Sequence, residues 1–190
     1  LNTLLKALIT GATGFVGSHL ADKLIAKNYE VYCLKRDTSS TQWLEGKNVK
    51  YVNGDLFSND VLEKVISEMD YVFHVAGVVK SRTKEGFYKS NYEATKNLLE
   101  ITCKVNPGIK KFVFVSSLAA TGPAVGIDSV DENTTPSPIT TYGLSKLKAE
   151  QEVFAFKDKI PVTIIAPPAV FGPRDTEILI YFQTFQKGLN

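Results

Sequence analysis

The chain has 190 residues, a formal net charge of +2 and a hydrophobic share of 44%, which suits one domain with a real core. So small a charge argues against a nucleic-acid or anionic-membrane partner. No apolar stretch reaches the ~18 residues of a membrane span, and two scattered cysteines, Cys33 and Cys103, make no disulfide framework. Without a visible secretory signal, a reduced cytoplasm is the expected setting. The first residue is Leu1 rather than Met, which suggests a trimmed start.

Ala7-Leu8-Ile9 predicts a buried strand. Directly after it stands Gly11-Ala12-Thr13-Gly14-Phe15-Val16-Gly17, which reads as a tight turn into a helix over residues 15–27. Glycines permit positive φ and close backbone approach. The helix start offers free N–H groups and a positive dipole end to an anion, which is how a dinucleotide pyrophosphate is held. A second strand, 31–34, contains Cys33 as a small hydrophobe and leads to Lys35-Arg36. An NAD site would carry an acid here for the ribose 2′-OH. Arg36 instead suits a 2′-phosphate, so NADP is favoured over NAD, and Asp37 suits an outward ion pair.

The third strand, 49–52, ends at Gly54. Asp55-Leu56 then stands where an adenine would lie, although Asp55 equally suits a turn or a helix cap. A helix over 59–68 starts with Ser58 as N-cap. The fourth strand, 71–75, leads to Ala76-Gly77, small enough for a cofactor backbone to pass. His74 reads as a strand residue with a satisfied ring. His19 has no identifiable partner, and no metal site is expected. The loop Lys80-Ser81-Arg82-Thr83-Lys84 reads as solvated. One long helix over 87–105 stops at Pro107-Gly108. A fifth strand, 112–115, ends in Ser116-Ser117. Then come a helix over 142–156, a sixth strand over 162–166 and a helix over 178–187. The links 38–47 and 118–141 are rich in Ser, Thr, Pro and Gly. Apolar strands alternating with helices predict an α/β fold, a doubly wound parallel sheet in three layers.

Tyr142 and Lys146 are four apart, hence on one helix face. A nearby ammonium favours the phenolate and lets a tyrosine exchange protons at neutral pH. A serine at a neighbouring strand end can hydrogen-bond a substrate oxygen. Together these groups suit hydride transfer between nicotinamide and a carbonyl or alcohol carbon.

The order of these segments, with Asn91, Thr95-Lys96-Asn97-Leu98-Leu99-Glu100, Asp131-Glu132 and Pro167-Pro168-Ala169-Val170-Phe171-Gly172-Pro173-Arg174, resembles the extended branch of the short-chain dehydrogenase/reductase superfamily. That branch is the NAD(P)-dependent epimerase/dehydratase family. The resemblance implies a Rossmann fold and Ser117, Tyr142 and Lys146 as catalytic residues. It places Gly11, Thr13, Gly14, Phe15, Val16, Gly17, Arg36, Asp55, Leu56, Ala76 and Gly77 along the cofactor, with Lys146 on the nicotinamide ribose and Pro167 to Val170 lining the nicotinamide. It also implies a small-molecule substrate and a homodimer through the helices carrying Asn91 and Tyr142. Family members exceed 300 residues, so the chain is expected to be truncated before most of the small substrate domain. Thr121 and Ala166 replace a common Tyr and Arg, and Leu118-Ala119 replace the acid pair of the dehydratases. Lys35-Arg36 is closer to the reductases. The expected function is a reductase or dehydrogenase, with a nucleotide-sugar epimerase and a non-catalytic dinucleotide-binding module as alternatives.

Overall fold

A computed structural model describes residues 4–124, 126 and 129–188, so residues 125, 127 and 128 of the long link lie outside the described residues. Six strands, β1 (Lys6–Thr10), β2 (Glu30–Lys35), β3 (Val49–Asn53), β4 (Tyr71–His74), β5 (Lys111–Val115) and β6 (Val162–Ile165), form one sheet in the order β3-β2-β1-β4-β5-β6. Every pairing is parallel, with Ile9 opposite both Cys33 and Phe73. The order reverses between β1 and β4. Their carboxyl ends therefore open a crevice at the switch point, where doubly wound sheets bind ligands.

Helices cover both faces. On one, Leu62 and Ile66 of α2 (Asn59–Ile66), Leu98 and Leu99 of α4 (Ala94–Val105; α3 is the short Lys84–Phe87) and Val153 of α5 (Thr141–Ala155) pack on Leu8, Val72, Phe112 and Phe114. On the other, Ala21 and Leu24 of α1 (Phe15–Ala26) pack on Ala7, Ile9, Val31 and Cys33. Each fully buried aliphatic or Phe side chain contributes about 1.5–3 kcal/mol. The expected three layers and the apolar strands are both present. Cys33 is fully buried, and burial pushes its thiol up to about 12, leaving it protonated and inert. On α1's face of the last strand, Thr163 and Ile165 are exposed, as are Leu179, Ile180, Tyr181, Phe182 and Phe185 of α6 (Leu179–Gln186). Among the described residues, no helix is long and apolar enough to cross a membrane.

Three local expectations are corrected. The helix over 87–105 is not continuous: α3 begins earlier, and a π-helical stretch over Tyr88–Glu93 precedes α4. Ser58 occupies the N-cap position of α2 without a side-chain cap bond; its hydroxyl donates to Asp55 Oδ1 at 3.1 Å. The helix itself ends at Ile66 rather than 68.

The glycine turn is fixed by contact. A Cβ at Gly17 would lie 2.1 Å from Gly11 O, backbone that cannot swing away, whereas a Cβ at Gly108 would meet nothing within 4 Å. Gly17→Ala is expected to lower unfolding stability by about 1–3 kcal/mol, and Gly108→Ala to change it by no more than about 0.5 kcal/mol. Urea denaturation of both variants checks this; equal losses would show that the contact does not set the turn.

Candidate active site

The loop after β1 is shaped by its own backbone. Gly11 has φ +73°, and a Cβ there would strike Ala76 N at 2.7 Å. Gly14 N donates to Gly11 O at 3.1 Å and Gly14 O accepts from Ser18 N, which opens α1. Gly14 has an ordinary φ of −87° and a built Cβ would meet only Gly11 O, at 3.4 Å. Among the described residues nothing else crowds that position, so there is room in front of the helix start. The first N–H groups of α1, from Phe15, Val16 and Gly17, have no partner inside the helix, and its first turn carries no acid. Thr13 is half-buried beside them and Val16 is exposed. A negatively charged pyrophosphate fits this cradle.

His74, fully buried, joins the loop to the helices. Thr95 Oγ1 donates to Asn91 O at 2.6 Å, so it accepts from His74 Nε2–H at 2.8 Å. Nδ1 is then an acceptor for the Thr10 hydroxyl at 2.7 Å, and Thr10 Oγ1 accepts from Ala76 N at 3.3 Å. The tautomer is assigned from this network. Asn91, also buried, lies in the π-helical stretch. Its amide clasps the Val78 backbone, accepting from N–H at 2.8 Å and donating to the carbonyl at 3.1 Å, and it donates to Ser145 Oγ at 2.9 Å. Gly77 is thereby set against Asn91 Oδ1 and Lys146 Nζ, 3.2 and 3.8 Å from a built Cβ. A larger residue would close this side of the crevice.

Ser117, Tyr142 and Lys146 gather beyond the end of β5. Ser117 Oγ accepts from Ala119 N at 3.2 Å and caps the short 3-10 turn Leu118–Ala120. Thr140 caps α5 through Gly143 N. A Cβ at Gly143 would lie 2.3 Å from Ala119 O, so the start of α5 rides directly on the turn that Ser117 begins. Tyr142 is half-buried with its ring 6.3 Å from that of Phe87, and its hydroxyl makes no hydrogen bond among the described residues. Lys146 is 3% exposed; Nζ donates to Val115 O at 2.8 Å and lies 4.1 Å above the Phe114 ring. Burial lowers its pKa to about 8, against an opposing pull from Glu150. No direct hydrogen bond joins the three side chains to one another; Lys146 and Ser117 each bond the backbone instead.

At the far end of the crevice, Arg36 is exposed and makes no ion pair among the described residues, and Asp37 makes none either. Lys35 Nζ instead lies 5.9 Å from the Tyr51 ring centroid. Asp55 acts as a turn former: Oδ1 accepts from Phe57 N at 2.8 Å. Leu56 packs against the core, and its carbonyl accepts from Asn97 at 2.8 Å. Pro167 O accepts from Leu118 N at 2.9 Å, holding the segment after β6 beside Ser117, while Val170 is exposed. Lys80 of the basic loop pairs with Glu177.

Sequence reasoning missed the Thr10–His74–Thr95 relay and the docking of Arg174. Arg174 donates to Ser18 Oγ at 3.1 Å and Asp22 Oδ2 at 2.7 Å, and His19, expected to lack a partner, lies 2.9 Å from Pro173 O. Burial pushes the Asp22 carboxyl up, but hydrogen bonds from Lys47 and Arg174 outweigh it and hold it below its usual value. These contacts span about 150 residues, beyond any local pattern. Among the described residues no cluster of His, Cys, Asp and Glu is arranged for a metal.

A family model described as "NAD dependent epimerase/dehydratase family" matches residues 7–184. The chain is 34% identical over 176 residues to a ceramide reductase of Caulobacter vibrioides, covering 92% of this chain and 49% of that protein. It is 31% identical over 184 residues to the human decarboxylating sterol-4-alpha-carboxylate 3-dehydrogenase, covering 94% and 48%. The chain thus spans about half the length of these curated relatives. The crystal structure of UDP-glucuronic acid 4-epimerase from Bacillus cereus in complex with NAD matches with a TM-score of 0.83 at 25% identity, covering 97% of this chain and 65% of that one.

Burial pushes His74 from 6.5 down to about 3, aided by the charge of Lys146. The unfolded chain binds a proton near 6.5, whereas the folded one resists until about 3. The His74 contribution is therefore complete above pH 6.5 and lost as pH falls towards 3. Between pH 7 and 4, wild type is expected to lose up to about 3 kcal/mol more stability than His74→Gln. Urea titrations across that range check it, and parallel curves would contradict it.

Proposed function

The chain belongs to the NAD dependent epimerase/dehydratase family, and we propose that residues 1–190 form the dinucleotide-binding Rossmann domain of an oxidoreductase acting on a small-molecule carbonyl or alcohol. The observation that carries this reading is the buried Lys146 ammonium at the end of β5, one helical turn from Tyr142 and beside Gly77. A desolvated cation in that place suits ribose hydroxyls and a tyrosine that must ionise.

In this reading the pyrophosphate lies on the turn of Gly11, Thr13, Gly14, Phe15, Val16 and Gly17. The adenosine end runs towards Arg36, Asp55 and Leu56, and the ribose and nicotinamide pass Ala76, Gly77, Lys146, Pro167 and Val170. The bound nicotinamide supplies or accepts the hydride. Ser117, which accepts from Ala119 N, still has its own hydrogen to donate to the substrate oxygen. Tyr142 gives or takes the proton at that oxygen, with the Lys146 ammonium one helical turn further along α5. Core packing of Leu56 supports a role as a wall rather than a flexible contact. Asp55 spends one carboxylate oxygen on its turn, leaving Oδ2 for an adenine amino group. Arg36, exposed and without an ion pair among the described residues, favours NADP over NAD.

A sugar-nucleotide epimerase is the second reading, favoured by the likeness to the Bacillus cereus epimerase with NAD. It uses the same groups but returns the hydride to the opposite face. Tightly retained NAD in the purified full-length protein would favour it, and exchangeable NADP(H) would favour the reductase.

Tyr142→Phe in the full-length enzyme is expected to cut turnover by about 10²–10⁴-fold while dinucleotide affinity stays within about twofold. Steady-state kinetics and calorimetric titration measure the two, and undiminished turnover would remove Tyr142 from its role. Arg36→Glu is expected to weaken NADPH binding by about tenfold or more and to leave NADH binding far less affected. An equal loss for both cofactors would remove the 2′-phosphate assignment.

A further inference from the structure

Lys146 and Glu150 stand one turn apart on α5, on the same face. Glu150 is half-buried, with Oε1 sealed from solvent and given no hydrogen bond by any described residue. Ser116 Oγ, at the end of β5, is sealed and unpartnered in the same way. The Ser116 hydroxyl lies near enough to favour the charged form of Glu150, yet closes no direct bond to Oε1. Lys146 Nζ spends its hydrogen bond on Val115 O rather than on Glu150. A sealed carboxylate oxygen without a donor is costly. What Glu150 does supply is a negative charge one turn from a buried ammonium, where screening is weak.

We propose that Glu150 is a positioning residue for Lys146: set one turn further along the same face of α5, its carboxylate holds the buried ammonium in its charged form. The other groups facing Lys146 do not replace it. His74 on β4 is neutral across the working range, since burial brings it to about 3. β5 presents the Phe114 ring and the Val115 carbonyl. The π-helical stretch presents the neutral Asn91 amide across Gly77, and Tyr142 is the neighbour one turn earlier on α5. Burial lowers Lys146 to about 8, and Glu150 is the group that opposes this. Burial raises Glu150, opposed by Ser116 and by the Lys146 charge. The Glu150 charge therefore acts on Lys146 against its burial. The inference rests on the proposed function only for what a charged Lys146 is used for.

The test needs neither cofactor nor substrate. Lysine side-chain 13Cε resonances of the chain are followed against pH, with Lys146 assigned by its loss in Lys146→Met. In Glu150→Gln the Lys146 midpoint is expected to fall by about one pH unit or more; an unchanged midpoint in a folded variant overturns the proposal. Should Glu150→Gln fail to fold, the Glu150 13Cδ resonance of the wild type decides. Coupling requires an inflection at the Lys146 midpoint, and a curve without one overturns the proposal. A merely structural glutamate would alter the melting temperature without moving the midpoint. A turnover defect in Tyr142→Phe tests the oxidoreductase reading, and no titration result here depends on it.

Discussion

A single run of hydrogen bonds fixes the distance between the glycine turn and the helix that carries Tyr142. It passes from Ala76 N through Thr10, His74 and Thr95 to the carbonyl of Asn91, and from the Asn91 amide through Ser145 to Tyr142 O. Each member is buried or nearly so, and each donor meets an acceptor. Such a run is stiff, because breaking any link strands a polar group in the core. It explains why an imidazole sits in an apolar strand: only a ring with a donor on one side and an acceptor on the other can bridge β1 and α4 here. The crevice between β1 and β4 then has one width, set by hydrogen-bond lengths.

Electrostatics at the two ends of the crevice differ in kind. Lys146 is a desolvated cation whose charge state is adjustable, resting on an aromatic face and a carbonyl. Arg36 is a hydrated, permanent cation. The first is suited to proton chemistry and the second to recognising a fixed charge. The middle of the crevice presents backbone N–H groups at the start of α1 and two small residues, Ala76 and Gly77. A ligand with phosphate in its middle and distinct chemistry at each end matches that distribution.

Much of this was legible in the sequence. The apolar runs around Ile9, Cys33, Val72, Val113 and Ile164 marked parallel strands because buried strands lack alternation. The spacing of Gly11, Gly14 and Gly17 marked the turn because the helix start nearly touches the loop there. The pair Tyr142 and Lys146 stood out through its helical spacing together with its place after the glycine turn, Lys35-Arg36 and Ser116-Ser117. Contacts between distant segments were not. Nothing local tells Arg174 that it will meet Ser18 and Asp22, or Ser116 that it will face Glu150. Ser58 misled because serine before a helix usually caps it, whereas here Asp55 competes for its hydroxyl. The interruption of the helix after Phe87 was hidden because Tyr88 to Glu93 contains no glycine or proline to mark it.

That interruption has a consequence for how this stretch is compared between proteins. The wider turn over Tyr88–Glu93 holds one residue more than the α-helix would, and each residue rotates an α-helix by about 100°. The helix before it and the helix after it are therefore out of phase by roughly that angle. An alignment that runs an unbroken 3.6-residue period through residues 84–105 will pair inward-facing positions with outward-facing ones on one side of the turn. Asn91 sits inside the phase break, and its neighbours in three dimensions, Val78 and Ser145, locate it more securely than its position in the helical count.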